Sequence, residues 1–289
     1  VLAGADPALI QDALYDAEEH LRAEAAGNPT KSEAELLEHI MRTYGSPAEV
    51  AAAYRDTEAK VEAALQPPPP RRVASENALT RFFAVYSDPR AYVSLFFMVL
   101  SIVTGCIYFT FAVTGLSLSF GLAILIIGLP VFLGFVGITR AISLGEGRLL
   151  EAVSGERMPR RPVHAGPPDT LVARSIEAVK DARTWSTIVY LLLMLPLGVF
   201  YFTIAVTGIA VGVSLVLVPF VGIGQRVGWW MPWGDEAIYF SPAWLDTPVG
   251  WVVCVVFGIL VLTAMLHAAR GLVGIHARTA KTLLVAQGA

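Results

Sequence analysis

His20 and His39, whose imidazoles have the chemistry of a metal ligand or a general base, each directly follow a glutamate, in Glu19-His20 and Glu38-His39. Two histidines on neighbouring helices could begin a metal site. Such a site needs about four convergent N, O or S ligands, and this spacing supplies no others. They therefore read as solvated or capped helix-face histidines, and no metal and no cofactor is expected. Cys106 and Cys254, the 2 cysteines of the chain, both fall in apolar runs and read as small buried hydrophobes. No Gly-rich phosphate loop, Cys/His ligand spacing or nucleophile elbow occurs, so no catalytic residues are expected and the chain reads as a non-enzyme. What remains is aromatic. Trp229, Trp230, Trp233, Trp244 and Trp251 are five of the 6 tryptophans, with Asp235, Glu236 and Asp246 among them. Aromatic faces flanked by acids could hold an apolar or cationic ligand. They equally suit a belt at the lipid headgroups or a protein contact, and the belt or contact is the favoured reading of this outer surface.

The elements that position these residues follow from the charge distribution. The chain is 55% hydrophobic and 16% charged, against roughly 25% charged in soluble domains, and its mean hydropathy is +0.60. No charged residue occurs between Ala91 and Thr139, a run of 49, or between Thr184 and Gln225, a run of 42. Runs of that length exclude a single soluble core, a disordered chain and a disulfide scaffold. They require an integral membrane protein. The front segment is different: Val1–Gln66 holds 13 acidic and 5 basic residues. An acidic face cannot displace counterions from phosphates, so nucleic acid is excluded as a partner.

That front segment, residues 1–66, predicts three amphipathic helices. Leu9, Ile10, Leu14, Ala17 and Leu21 share one face of the first, which breaks at Gly27-Asn28-Pro29. Leu36, Leu37, Ile40, Met41 and Tyr44 share a face of the second. Gly45 sits where a left-handed residue is wanted, and Ser46-Pro47-Ala48-Glu49 restarts the chain with a cap, a proline at the first position and an acid in the first turn. Val50, Ala53, Tyr54 and Val61 mark the third. Four prolines, Pro67–Pro70, then make a stiff spacer within a linker over 67–75, with Arg71 and Arg72 behind it. The stretches "DALYDAEEHLRAEA" and "SEAELLEHIMRTYGSPAEVAAAY" resemble the HAAS family of small bacterial signalling domains over Asp12–Tyr54. The resemblance implies a signalling role and names no ligand.

Shifting the sequence by 93 positions superposes Asp88, Arg90 and Tyr92 on Asp181, Arg183 and Trp185, and Tyr108-Phe109-Thr110 and Ala112–Gly115 on Tyr201-Phe202-Thr203 and Ala205–Gly208. This predicts an internal duplication. A span needs about 20 residues, which places four over 91–113, 119–142, 185–207 and 248–266 within a domain 76–289, with a short turn at Thr114–Leu118. Ile209–Gln225 is left as a separate span, a re-entrant segment or an extension of the third span. Four spans put fifteen arginines and lysines on the cytoplasmic side, with only Arg226 outside, and both termini inside. The expected fold is all-α: a cytoplasmic three-helix bundle and a duplicated four-helix transmembrane domain of two parallel hairpins. Arg140/Arg148 and Arg270/Arg278 are each eight apart at helix exits. With Arg71, Arg72, Arg90 and Arg183 they are the expected contacts to lipid phosphate. Leu79, Phe82, Phe83 and Tyr86, and Val172, Ile176 and Val179, predict short helices on the inner leaflet. Since no Asp, Glu, Lys or Arg falls inside these spans, a pump or secondary transporter is not expected.

The repeated "YFTxAVTG" motif, "FGLAILIIGLP" and "LDTPVGWVVCVVFGILVL" resemble the sensor domain that in many bacteria precedes a histidine kinase, over Asp88–Leu284. Only Leu284–Ala289 follow, so no kinase domain is expected here. The chain thus reads as a sensing or regulatory protein of a bacterial inner membrane that relays an envelope or bilayer signal to a cytoplasmic partner. The rival reading is an accessory subunit of a larger membrane complex, such as a transporter or an energy-converting assembly. Expected partners are the lipid bilayer, a cytoplasmic or intramembrane protein, and a second copy in a homo-oligomer.

Overall fold

In the computed structural model the described residues are 2, 4–29, 31–65, 77–125, 127–159, 170–228 and 247–285, and their regular structure is all helical. Three helices come first: α1 (Pro7–Gly27), α2 (Glu33–Thr43) and α3 (Pro47–Leu65). Their starts are set by local chemistry. The Asp6 carboxylate accepts from Ala8 N at 2.8 Å, with Pro7 at the first position. Ser32 and Glu35 form a reciprocal capping box, and Ser46 and Glu49 repeat it at α3, where Ser46 N donates to Glu49 Oε2 at 2.8 Å and Glu49 N to Ser46 Oγ at 3.3 Å. Gly45, at φ 98°, makes the left-handed turn between them that an L side chain resists.

Next come α4 (Ala78–Phe83), a 3-10 turn (Ala84–Ser87), α5 (Pro89–Gly121), a second 3-10 turn (Ala123–Leu125), α6 (Gly128–Ser154), α7 (Leu171–Lys180), α8 (Ala182–Val227) and α9 (Pro248–Leu284). Four of these, α5, α6, α8 and α9, are long and apolar enough to cross a membrane. The expected turn at Thr114–Leu118 is corrected: α5 runs through it, and the chain reverses after Gly121. Ile209–Gln225 is a continuation of α8, helical through Pro196 and Pro219. In the apolar window of that helix only 11% of residues are buried, which suits a surface solvated by lipid rather than water.

The chain divides into two compact units, Val1–Val73 with Ile107–Leu193 and Gly274–Ala289, and Ala74–Cys106 with Met194–Val273. In the first, Phe132, Phe135, Val136, Ala178 and Ile188 form a core joined by Phe111 and Leu192. A recess of about 330 Å³ there is lined by Ser119 and Phe120 from the end of α5, Val172 and Ile176 from α7, and Trp185 from the start of α8. The C-terminal half of α5 and the N-terminal half of α8 therefore run antiparallel in this unit. That corrects the expectation of two parallel hairpins, and the placing of the first reversal opposite α7 across a bilayer. The reason is length: α8 has 46 residues, about 69 Å at 1.5 Å per residue, so its ends are not set by the ~30 Å of bilayer hydrocarbon.

In the second unit, Val85, Ala91 and Leu266 form a small core. Here α5 and α8 meet at two glycines. A Cβ on Gly105 would strike the backbone of Met194 and Leu195, and one on Gly198 the backbone of Ser101 and Ile102. The 3-10 turn is tied to α9, with Thr263 Oγ1 donating to Tyr86 Oη at 3.1 Å. His267 Nε2 lies 2.9 Å from the Phe82 carbonyl oxygen.

Candidate functional site

The first unit brings the acidic front helices onto the basic ends of three long ones. Gly155, at φ 76°, ends α6 in a left-handed turn, and the chain doubles back so that Met158, fully buried, packs beside Gly147. This reversal delivers Arg157 to α1 and α3. One guanidinium nitrogen lies 2.8 Å from Asp12 Oδ2 and the other 2.8 Å from Glu58 Oε2. Lys281, near the end of α9, donates to Asp6 Oδ2 at 2.6 Å and to Glu156 Oε1 at 3.2 Å. Arg183, at the start of α8, donates to Gln11 Oε1 at 3.0 Å.

Exposure decides which of these contacts matters. The Arg157 and Asp12 side chains are 13% and 7% exposed, against 74% and 64% for the surface pair Arg42–Glu38. Exposed pairs contribute about 0–1 kcal/mol, whereas removing one partner of a buried pair costs about 3–5 kcal/mol because a charge is stranded. Arg157 is thus the anchor and the others trim the fit.

Beside this dock lies a polar cluster. Tyr108 of α5 donates to Glu146 Oε2 at 2.8 Å, and Tyr190 of α8 donates to Glu146 Oε1 at 3.1 Å. His276 Nε2 of α9 is 3.1 Å from Tyr190 Oη. A hydroxyl has one proton, so while Tyr190 gives it to Glu146, the Nε2–H of His276 must donate to Tyr190. The four long helices each place one side chain in a single hydrogen-bonded chain. Glu146 and His276 are both 2% exposed.

Glu146 lies beyond the expected second span, 119–142, on the part of α6 that continues to Ser154, and the sequence reading passed over it as a site residue. A signal was present. Glu146 and His276 hold the same place, two residues before Arg148 and Arg278, in the two exit sequences.

Of the other expected site residues, Trp229, Trp230, Trp233, Asp235, Glu236, Trp244 and Asp246 lie outside the described residues, as do Arg71 and Arg72. Arg140 pairs with Asp181 at 3.2 Å and Arg270 with Asp88 at 2.9 Å; Arg148 and Arg278 are exposed and Arg90 half-buried. The described residues therefore put Arg140, Arg183 and Arg270 on protein partners. His20 stacks on Tyr44 at 4.2 Å and His39 lies 3.7 Å from Glu24. The two histidines are not brought together, and no His/Cys/Asp/Glu group able to hold a metal occurs among the described residues. Cys254 is buried, but Cys106 is exposed, a correction: on a lipid-facing helix an apolar setting does not require burial.

Long apolar helices with a helical cap define the class, a multi-pass membrane protein of all-α architecture. Within that class the family described as "Putative sensor" matches residues 97–284, and the chain belongs to that family. Neither the curated proteins nor the solved structures contain a match.

Proposed function

We propose that the chain is a non-enzymatic sensing protein of the bacterial inner membrane, whose long helices respond to the envelope or bilayer and whose acidic front helices carry the response to a cytoplasmic partner. One observation carries the reading: α1 is held at once by the ends of α6, α8 and α9 through Arg157, Arg183 and Lys281. Any rearrangement that parts these ends must break an ion pair or a hydrogen bond to α1. The resemblance of Asp12–Tyr54 to HAAS signalling domains, which lies outside the family match, points the same way. Cytoplasmic termini belong to the same reading, and the Lys281–Asp6 contact, which brings the two ends of the chain together, is consistent with both lying on one side.

A duplicated origin of the membrane part belongs to the same reading. Asp181–Arg140 in the first unit and Asp88–Arg270 in the second join corresponding positions, 93 and 130 residues apart. Gly115 lies against Phe135 in the first and Gly208 against Met265 in the second, at the same two offsets. The duplication would thus preserve contacts as well as residues.

The test is a distance between spin labels at Glu19 on α1 and Arg278 on α9, both exposed, in nanodiscs of varied acyl length and anionic lipid content. A change in the distance distribution with bilayer composition is expected. One unchanging distribution across thickness, charge and osmotic stretch would overturn the relay.

A further inference from the structure

The expected apolar core of the front helices does not close. Leu9, Ala13, Ile40 and Ala51 are buried, but Leu14 is 60%, Leu37 49% and Met41 54% exposed. Between them lies a groove of about 430 Å³ bordered by all three helices. His20, stacked on Tyr44, forms one wall. The groove faces away from the membrane helices. Successive residues of a helix are 100° apart, so Asp12, which meets Arg157, lies about 160° around α1 from Leu14 and about 140° from Ala17. It is therefore open while the front helices are docked.

Charge selects the occupant. Glu18 lies between Leu14 and Leu21 on α1, and Glu33 one turn before Leu37 on α2; both are exposed. The acids Asp6, Asp12 and Glu58 are already paired with Lys281 and Arg157. An apolar floor with an acidic rim repels an anionic bilayer surface, and two copies of the same rim repel each other. It attracts an amphipathic helix whose polar face is basic, anchored by apolar residues at i, i+3, i+4 and i+7. We infer that this groove is a docking site for a cationic amphipathic helix of a partner protein. The inference rests on the relay reading and gives the chemistry of its output.

The experiment uses the full chain in phosphatidylcholine nanodiscs, with empty nanodiscs subtracted. The probe is a fluorescent 18-residue Leu/Lys helix with leucines on one face, and its counterpart carries Glu at every Lys. The Lys helix should bind saturably and the Glu helix at least tenfold more weakly. Leu37→Asn and Met41→Gln, exposed neutral changes, should each weaken the Lys helix at least tenfold with helix content unchanged. Glu18→Gln with Glu33→Gln should slow association severalfold at low salt and leave dissociation nearly unchanged. Equal binding of the Lys and Glu helices, or binding indifferent to Leu37→Asn and Met41→Gln, overturns the inference. So does a chain that is dimeric in light scattering and becomes monomeric on Met41→Gln, because a second copy would then be the occupant. Failure of the spin-label experiment with peptide binding intact would remove the relay and leave the groove.

Discussion

Arg157→Met tests the anchoring of the front helices most directly. Methionine keeps the unbranched apolar stem and removes only the guanidinium, so packing beside the dock is nearly conserved while Asp12, 7% exposed, and Glu58, 20% exposed, lose their common cation. Stranding a buried charge costs about 3–5 kcal/mol. Glu58 is open enough to be resolvated, which argues for the lower end, about 3 kcal/mol. At 1.36 kcal/mol per factor of ten, that is roughly a 150-fold rise in the equilibrium for opening α1 and α3 away from the membrane helices. Hydrogen exchange reads that equilibrium when reclosing is fast. Amides of α1 should exchange about two orders of magnitude faster in the variant in detergent or nanodiscs. Salt offers a control: 0.5 M salt should speed exchange near the exposed Arg42–Glu38 pair more than near Asp12, because a buried pair is screened less. Exchange in α1 within threefold of the parent would refute the claim that Arg157 holds the dock.

Glu146→Leu should lower the melting temperature in detergent by leaving the Tyr108 and Tyr190 hydroxyls short of an acceptor, at about 1–3 kcal/mol each. Tyr190→Phe, which breaks two links of the chain, should cost more than Tyr108→Phe, which breaks one. Gly105→Ala and Gly198→Ala should each destabilise by similar amounts, since either Cβ meets backbone, whereas Gly134→Ala meets open space and should raise helix stability by up to about 1 kcal/mol; thermal denaturation separates them. The capping carboxylates Glu35 and Glu49 are held below the ordinary carboxylate range, first by the backbone N–H of Ser32 and Ser46 and then by their hydroxyls. A depressed folded pKa stabilises above the unfolded value and is lost as pH falls through the folded one. Protection factors of amides at the starts of α2 and α3, with the intrinsic pH dependence of exchange removed, should therefore fall on acidification, and Glu35→Gln should flatten that response at α2. Single cysteines at Ile124, 88% exposed, and at Glu177 on α7 should react with an impermeant maleimide from the same side of the membrane; opposite-sided labelling would refute the antiparallel packing of α5 against α8.

Much of this architecture was legible because it rests on local or one-dimensional signals. Charge-free runs of 49 and 42 residues admit little but long apolar helices, and Ser32/Glu35 and Ser46/Glu49 announce two helix starts by chemistry contained within four residues. Periodicity then gives the apolar face of α1 but not what covers it. Leu14 and Leu9 look alike in sequence, yet one is exposed and the other buried. The same limit explains Glu146. The charge-free run ends at Arg140, and nothing near Glu146 in sequence shows that its carboxylate is buried. The hydroxyls aimed at it come from two other helices, 38 and 44 residues away.

Direction of packing was the least accessible property. Counting spans assigns a face of the bilayer to each helix end only if every helix is one bilayer long. With α5 at 33 residues and α8 at 46, the count still holds while the faces no longer follow from it. The contacts that do report direction are few and specific. Tyr108 and Tyr190 share Glu146, and Ser119 and Trp185 share a recess. Going up α5 from 108 to 119 is thus going down α8 from 190 to 185. If the membrane part is duplicated as proposed, residue equivalence constrains which contacts recur and says nothing about which way the second half is turned.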